Sequence, residues 1–260
     1  MNRVKNRLSL ARQKQEYFAG MEADSELQEV ARRCLWWTSA DEALGDTRQF
    51  LCHVMVYGLW QDAVVIRRRF GREQLMAALA HAPAGLFDLR SWPYWHRVLG
   101  LPVPPRPLRQ IPGGPVGAAS SKSDFHVHST CRLTLGRVAE PDFDDQHTVL
   151  VASLDDIAAT KLAVVTQRAA ARDYVDVAAM LRHGLDLAHA LACAKAVYRH
   201  EFDPMLGLKA LSYFGDLPEL PKEIGEFLAA AAAKVHDIRE VQAVAPRITP
   251  ESFRKILKPN

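Results

Sequence analysis

Val151-Ala-Ser-Leu-Asp-Asp-Ile-Ala-Ala-Thr-Lys161, with Arg168 and then Arg172-Asp-Tyr-Val-Asp-Val-Ala-Ala-Met-Leu181 behind it, reads as two consecutive helices. Ser153 stands immediately before Leu154, and Asp156 follows three residues on. That is close to a capping box, in which a hydroxyl accepts an otherwise orphaned helix N–H, so a helix is expected through Lys161 to about Arg168. In the second segment Tyr174, Val177, Ala178 and Leu181 recur at i, i+3, i+4 and i+7, which makes one apolar face. Gly184 then supplies a stop. Asp173 and Asp176, three residues apart, lie beside that face, where two carboxylates can act on a single ligand.

Downstream, a third helix opens at Asp186 with Leu187, Ala190, Leu191, Ala194 and Val197 inward, and a later one includes Leu228 and the alanines 229–233. Upstream, Cys131 to Val138 and Thr148 to Ala152 have strand length and apolar content, as expected of a short hairpin. Asp142-Phe-Asp-Asp145, which holds the only Asp-x-Asp of the sequence, falls in its turn and reads as solvated loop. From Pro102 to Asp124 the chain runs through Pro-x-Pro-Pro-Arg-Pro, Pro-Gly-Gly-Pro and Ala-Ala-Ser-Ser-Lys-Ser, a linker with little apolar surface.

Before the linker, Ser25 to about Leu101 reads as helical, with apolar positions Leu27, Val30, Ala31 and Leu35, then Phe50, Leu51, Val54, Val56 and Leu59. All five tryptophans fall here, as Trp36, Trp37, Trp60, Trp92 and Trp95. Filling of a core is the favoured role for them, and a partner surface the lesser one. The expected fold is mainly α with a short β hairpin: a basic extension over 1–20, a helical domain over 21–101, a linker over 102–124, a second helical domain over 125–245 and a tail over 246–260.

Composition narrows the function classes. Over 260 residues, 48% are hydrophobic and 33 basic residues nearly cancel 30 acidic ones, so the overall balance argues only weakly for nucleic acid or anionic membrane as partner. Cys34, Cys52, Cys131 and Cys193 lack C-x-x-C spacing, and neither a zinc motif nor a disulfide framework is expected. No apolar run reaches bilayer length and no secretory core opens the chain, so a cytoplasmic protein is expected. Arg3, Lys5, Arg7, Arg12 and Lys14 make the first twenty residues basic, either as a poorly packed extension ahead of a true start at Met21 or as an arm for an acidic partner.

The 151–181 segment, together with Pro204, Leu208-Lys-Ala-Leu-Ser-Tyr-Phe214 and Asp216-Leu-Pro218, resembles the later motifs of the AbiEii/AbiGii nucleotidyltransferase toxins over roughly 133–233. The resemblance implies a nucleotidyltransferase fold with a C-terminal helical bundle. It implies nucleotide-binding roles for Lys161 and Arg168 and catalytic roles for Asp173 and Asp176, with magnesium and a nucleoside triphosphate as cofactors of an active site. Those roles are chemically sensible, since an ammonium suits phosphate oxygens and paired carboxylates can take a hydroxyl proton. The competing structural role is a surface network in which Lys161 and Arg168 pair with the two aspartates, at roughly 0 to 1 kcal/mol per pair.

Such enzymes also begin with a Gly-Ser turn for the triphosphate and an Asp-x-Asp strand for two metal ions. No Gly-Ser dipeptide occurs in these 260 residues, and no metal ligand is assigned. The first half is similar to the small antitoxin-like proteins that accompany these toxins, through Arg33-Cys-Leu-Trp-Trp37, Phe50 to Trp60 and Phe87 to His96. The expectation is a toxin–antitoxin-related chain, noncatalytic or impaired, acting through a protein partner or self-association. An active nucleotidyltransferase is the alternative, and a nucleic-acid-binding regulator using Arg67-Arg68-Arg69 is a further one. Asp124-Phe-His-Val-His128 resembles the first metal motif of PHP-type phosphoesterases, but a short motif alone carries little, and linker histidines are the preferred reading.

Overall fold

The computed structural model of the chain describes residues 25–108, 142–143 and 150–243, and eleven α-helices supply nearly all the regular structure there. These residues form two compact units. One contains 25–91 and 104–108; the other contains 92–103 and the described residues from 142 onward.

In the first unit α1 spans 25–34, followed by α2 (Ala40–Gly45), α3 (Thr47–Tyr57), α4 (Trp60–Arg69) and α5 (Arg72–Ala80). Local chemistry sets the boundaries. The Ser39 hydroxyl accepts from the Glu42 N–H and the Asp46 carboxylate from the Gln49 N–H, so α2 and α3 each start on a capped turn. Asp62, in the first turn of α4, reaches back to accept the Leu59 N–H at 3.0 Å. Its other oxygen takes the Arg33 guanidinium of α1, so one buried carboxylate both caps α4 and ties it to α1. That bond, ahead of an opposing cost of burial, raises the Arg33 pKa above its usual value.

The core of this unit is Val30, Ala31, Leu35, Phe50, Leu51, Val54, Met55, Ala63, Ile66 and Leu79. Pro107 and Arg106, from the proline-rich stretch, return to the same unit: the Pro107 carbonyl accepts from Gly85 N–H, and Arg106 donates to the Phe87 carbonyl.

The tryptophans divide. Trp60, Trp92 and Trp95 are buried, as core residues should be, whereas Trp36 and Trp37 are 80% and 51% exposed. The favoured core role is therefore corrected for that pair. Both lie just past the end of α1, where no helical periodicity holds a side chain to the inner face.

In the second unit α6 (Ser91–Val98) brings Tyr94 and Trp95, both fully buried, and Arg97 donates to the Ser212 carbonyl at 2.7 Å. Then come α7 (Leu154–Gln167), α8 (Ala171–Arg182), α9 (Leu187–Tyr198), α10 (Pro204–Ala210) and α11 (Lys222–Ala233). The Ser153 hydroxyl accepts from Asp156 N–H and starts α7, Asp186 does the same for α9 through His189 N–H, and Asp203 for α10 through Met205 N–H. Gly207 lets α10 lie close on α9, since a Cβ there would stand 2.9 Å from Leu191 Cδ2. Asp142–Phe143 pairs antiparallel with Leu150–Val151, so Asp142 sits in the pairing rather than in the turn assigned to it. The strand expected over 131–138 lies outside the described residues, as do the basic extension over 1–20, His126, His128 and the tail over 246–260.

α8 ends as its sequence suggests. Gly184 holds φ +99°, and the Leu185 N–H reaches back to the Met180 carbonyl. A Cβ at Gly184 would meet nothing within 4 Å, so Gly184→Ala isolates backbone strain from steric clash. It is expected to cost about 1 kcal/mol in urea denaturation. An unchanged midpoint would show that the turn tolerates a side chain.

Candidate functional site

The connection between α7 and α8 is only three residues, Arg168 to Ala170, which brings α8 back against the helix that precedes it. Tyr174, fully buried, donates its hydroxyl to the Val165 carbonyl at 3.3 Å and holds the two helices in register. This places Lys161 of α7 opposite Asp173 and Asp176 of α8. The ammonium donates to Asp173 Oδ1 at 2.9 Å and to Asp176 Oδ2 at 2.6 Å. Arg168, at the C-terminal cap of α7, donates Nε to Asp173 Oδ2 at 3.0 Å, with Nη2 at 2.9 Å. All four residues that the sequence singles out therefore meet in one network.

The four positions differ in environment. Asp173 is 3% exposed, Lys161 and Asp176 are partly exposed, and Arg168 lies largely in solvent. Burial alone would raise the Asp173 pKa, but hydrogen bonds from Lys161 and Arg168, with their charges, outweigh it and hold the carboxyl below its usual range. Lys161 moves the other way. Its hydrogen bonds to Asp176 and Asp173 exceed the cost of desolvation and raise its pKa.

These shifts fix the pH dependence. Asp173 contributes stability that is present above about pH 4 and lost as pH falls through its lowered folded value. Lys161 contributes stability that is present below about pH 10 and lost as pH rises through its raised folded value. The contribution of this network to stability against urea is expected to be flat between those limits and to fall beyond them. Lys161→Met should shallow the acid slope, because Asp173 then loses a partner; an acid slope unaltered by that change would mean that the pair does not set it.

Chemically, the buried carboxylate of this network is fully engaged. Both Asp173 oxygens face cations, and an ammonium occupies the space between the two carboxylates. Magnesium requires near-octahedral oxygen ligation at about 2.0–2.1 Å. The arrangement of Asp173 and Asp176 around Lys161 does not fit that ion. A triphosphate would have to draw Lys161 and Arg168 away from the aspartates while approaching two like charges. A shallow hollow of about 470 Å³ beside α8, α9 and α11 is lined by Leu185, Phe227 and His236 among others, and by none of the four.

A family model described as the nucleotidyl transferase AbiEii toxin of a type IV toxin–antitoxin system matches residues 126–258, just over half of the chain. The chain belongs to the AbiEii toxin family. No curated protein and no solved structure matches it. The AbiEii match takes in α7 to α11 and with them the whole Lys161 network; it begins after the proline-rich stretch.

Two features of this AbiEii family chain escape its sequence. One is an exposed aromatic group in the first unit. Trp36 and Trp37 meet edge to face at 5.8 Å, Trp37 lies 5.2 Å from the His53 ring, and Tyr57 beyond it is also exposed. The other is Asp155, His189 and Cys193, whose ligand atoms lie within 4.8 Å of one another. Burial, with Asp155 and Asp156 nearby, pushes the Cys193 thiol up to about 11. Only the i, i+4 spacing of His189 and Cys193 could have signalled the second group, and Asp155 is 34 residues away on another helix. The Arg67–Arg69 triplet is partly engaged, Arg67 against the Trp60 ring and Arg68 with Glu26. No helix among the described residues is long and apolar enough to cross a membrane.

Proposed function

We propose that this chain is a toxin–antitoxin protein of the AbiEii family whose nucleotidyl-transfer site is closed, and that it acts in the cytoplasm by binding protein. The observation that carries the reading is the engagement of Lys161 by Asp173 and Asp176. The cation assigned to nucleotide phosphates is spent on the carboxylates assigned to catalysis, and two positive charges face two negative ones. A phosphoryl transition state demands positive charge aimed at the negative charge on its oxygens, and a neutralised cluster supplies little of it.

Two further features support the reading. The 260 residues contain no Gly-Ser dipeptide to open a triphosphate-binding turn. Trp36, Trp37 and Tyr57 present aromatic surface of the kind enriched at protein interfaces. In this proposal residues before the proline-rich stretch form an antitoxin-like unit, fused to a toxin-derived one. Its partner is another protein or a second copy of the chain.

With purified protein, magnesium and each labelled nucleoside triphosphate, no label is expected to enter RNA or protein beyond the background of Lys161→Ala. Transfer that Lys161→Ala and Asp176→Ala both abolish would overturn the proposal. It would install the second reading, an active magnesium-dependent nucleotidyltransferase toxin. One observation favours that alternative: Asp142, which opens the Asp-x-Asp of the sequence, lies in a strand paired with the residues that lead into α7.

A further inference from the structure

Asp155 stands in the first turn of α7, and His189 and Cys193 stand one turn apart on α9, so three side chains of different chemistry converge from two packed helices. His189 Nε2 lies 3.3 Å from Asp155 Oδ2 and 3.5 Å from Cys193 Sγ. Both contacts fall on the same ring nitrogen. A catalytic Cys–His–Asp relay needs the two imidazole nitrogens to serve different partners, one taking the thiol proton and the other held by the carboxylate. That arrangement is not what these residues make. A single nitrogen also has only one N–H or one lone pair to offer, so it cannot serve both neighbours with good hydrogen bonds.

The two distances from His189 match another arrangement, and the third, between Asp155 and Cys193, lies within 4.8 Å, so a small side-chain adjustment would close it. Zinc binds imidazole nitrogen and carboxylate oxygen at about 2.0–2.1 Å and thiolate sulfur at about 2.3 Å, so the edges of a tetrahedron around it are ~3.3 Å for N···O and ~3.6 Å for N···S. We propose that Asp155, His189 and Cys193 form a binding site for a zinc-class divalent ion that braces the start of α7 to α9. The mixed sulfur, nitrogen and oxygen donor set selects zinc over magnesium or calcium, which prefer oxygen alone. Cys193 is fully buried, whereas the side chains of Asp155 and His189 are 29% and 44% exposed, so the ion enters from the solvent side and keeps water as its fourth ligand. On binding, the S–H bond breaks, its proton goes to solvent and a Zn–S bond forms. The thiolate and carboxylate together balance the two positive charges of the ion. This site shares no residue with the Lys161 network and does not depend on the closure of that network.

Cobalt(II), added to the reduced, metal-free full chain, is the direct probe, because a tetrahedral thiolate site gives it intense visible d–d bands and a sulfur-to-metal charge-transfer band. One equivalent is expected to develop both, and zinc to bleach them. Cys193→Ser should remove the charge-transfer band. Because that position is buried, His189→Gln and Asp155→Asn, at partly exposed positions, are the decisive variants, with circular dichroism to verify the fold. Each is expected to weaken binding by more than the ~10-fold that loss of a supporting hydrogen bond costs a metal site. A His126→Gln/His128→Gln double variant should bind as the parent does. Absence of a charge-transfer band at excess cobalt would overturn the proposal. So would bands that survive both decisive variants, or bands that vanish in the His126/His128 variant instead.

Discussion

Lys161→Ala is expected to lower the stability of the second unit by about 2 kcal/mol in urea denaturation at neutral pH. Removing one partner of a fully buried ion pair costs roughly 3–5 kcal/mol, because the remaining charge is stranded. Here Asp173 is buried, but Lys161 is partly exposed and Arg168, which stays, lies mostly in water, so the figure must be discounted. Asp176 is more exposed than Asp173, and Asp176→Ala should change stability by only about 0–1 kcal/mol. The order of the two effects is the informative part. Active-site charges held apart for chemistry often destabilise a fold, and their removal then stabilises it. A Lys161→Ala protein more stable than the parent would therefore contradict a network whose members hold each other.

Trp95→Ala should have the largest effect on stability of any single change named here, about 3–5 kcal/mol. Trp95 has no exposed surface, and its ring meets Tyr94 edge to face at 5.4 Å. The loss should fall on the same calorimetric transition that Lys161→Ala lowers, because α6 packs with the unit that carries the network: Arg97, two residues on, donates to the Ser212 carbonyl. Burial lowers the Arg97 pKa, so that guanidinium pays for desolvation and depends on the bond it makes. A Trp95→Ala protein in which only a separate transition moved would place α6 with the first unit instead.

The local parts of this architecture were legible in the sequence because they rest on neighbouring residues. Ser153 does cap α7, Tyr174, Val177 and Ala178 are buried, and α8 stops at a glycine with positive φ. Leu181, assigned to the same face, is only half-buried, since it lies in the last turn of α8. The meeting of Lys161 with Asp173 and Asp176 was partly legible too: two helices joined by three residues must pack side by side, and the charges stand on facing sides. Their roles were not, because spacing does not reveal whether a lysine awaits a phosphate or already has a carboxylate.

Contacts across long stretches of chain left less trace. Arg97 and Ser212 are separated by 115 residues, and nothing in the α6 sequence names its partner. Asp155 carries no mark that distinguishes it from an ordinary acidic first-turn residue, favourable at any helix start, until α9 places His189 and Cys193 beside it. Composition misled at Trp36 and Trp37. Hydrophobicity alone puts such rings inside, whereas the end of α1 puts them on the surface.

The most direct test of the closed site is calorimetric titration of magnesium and each nucleoside triphosphate into the parent protein, Lys161→Ala and Asp176→Asn. The account predicts weak or undetectable binding to the parent and to Lys161→Ala. Asp176→Asn should bind more tightly than the parent, by up to about fivefold, because it removes a repulsive charge and releases a partner of the ammonium. Binding by the parent that is abolished in both Lys161→Ala and Asp176→Asn would contradict the account, since the aspartate would then be helping the nucleotide rather than competing with it.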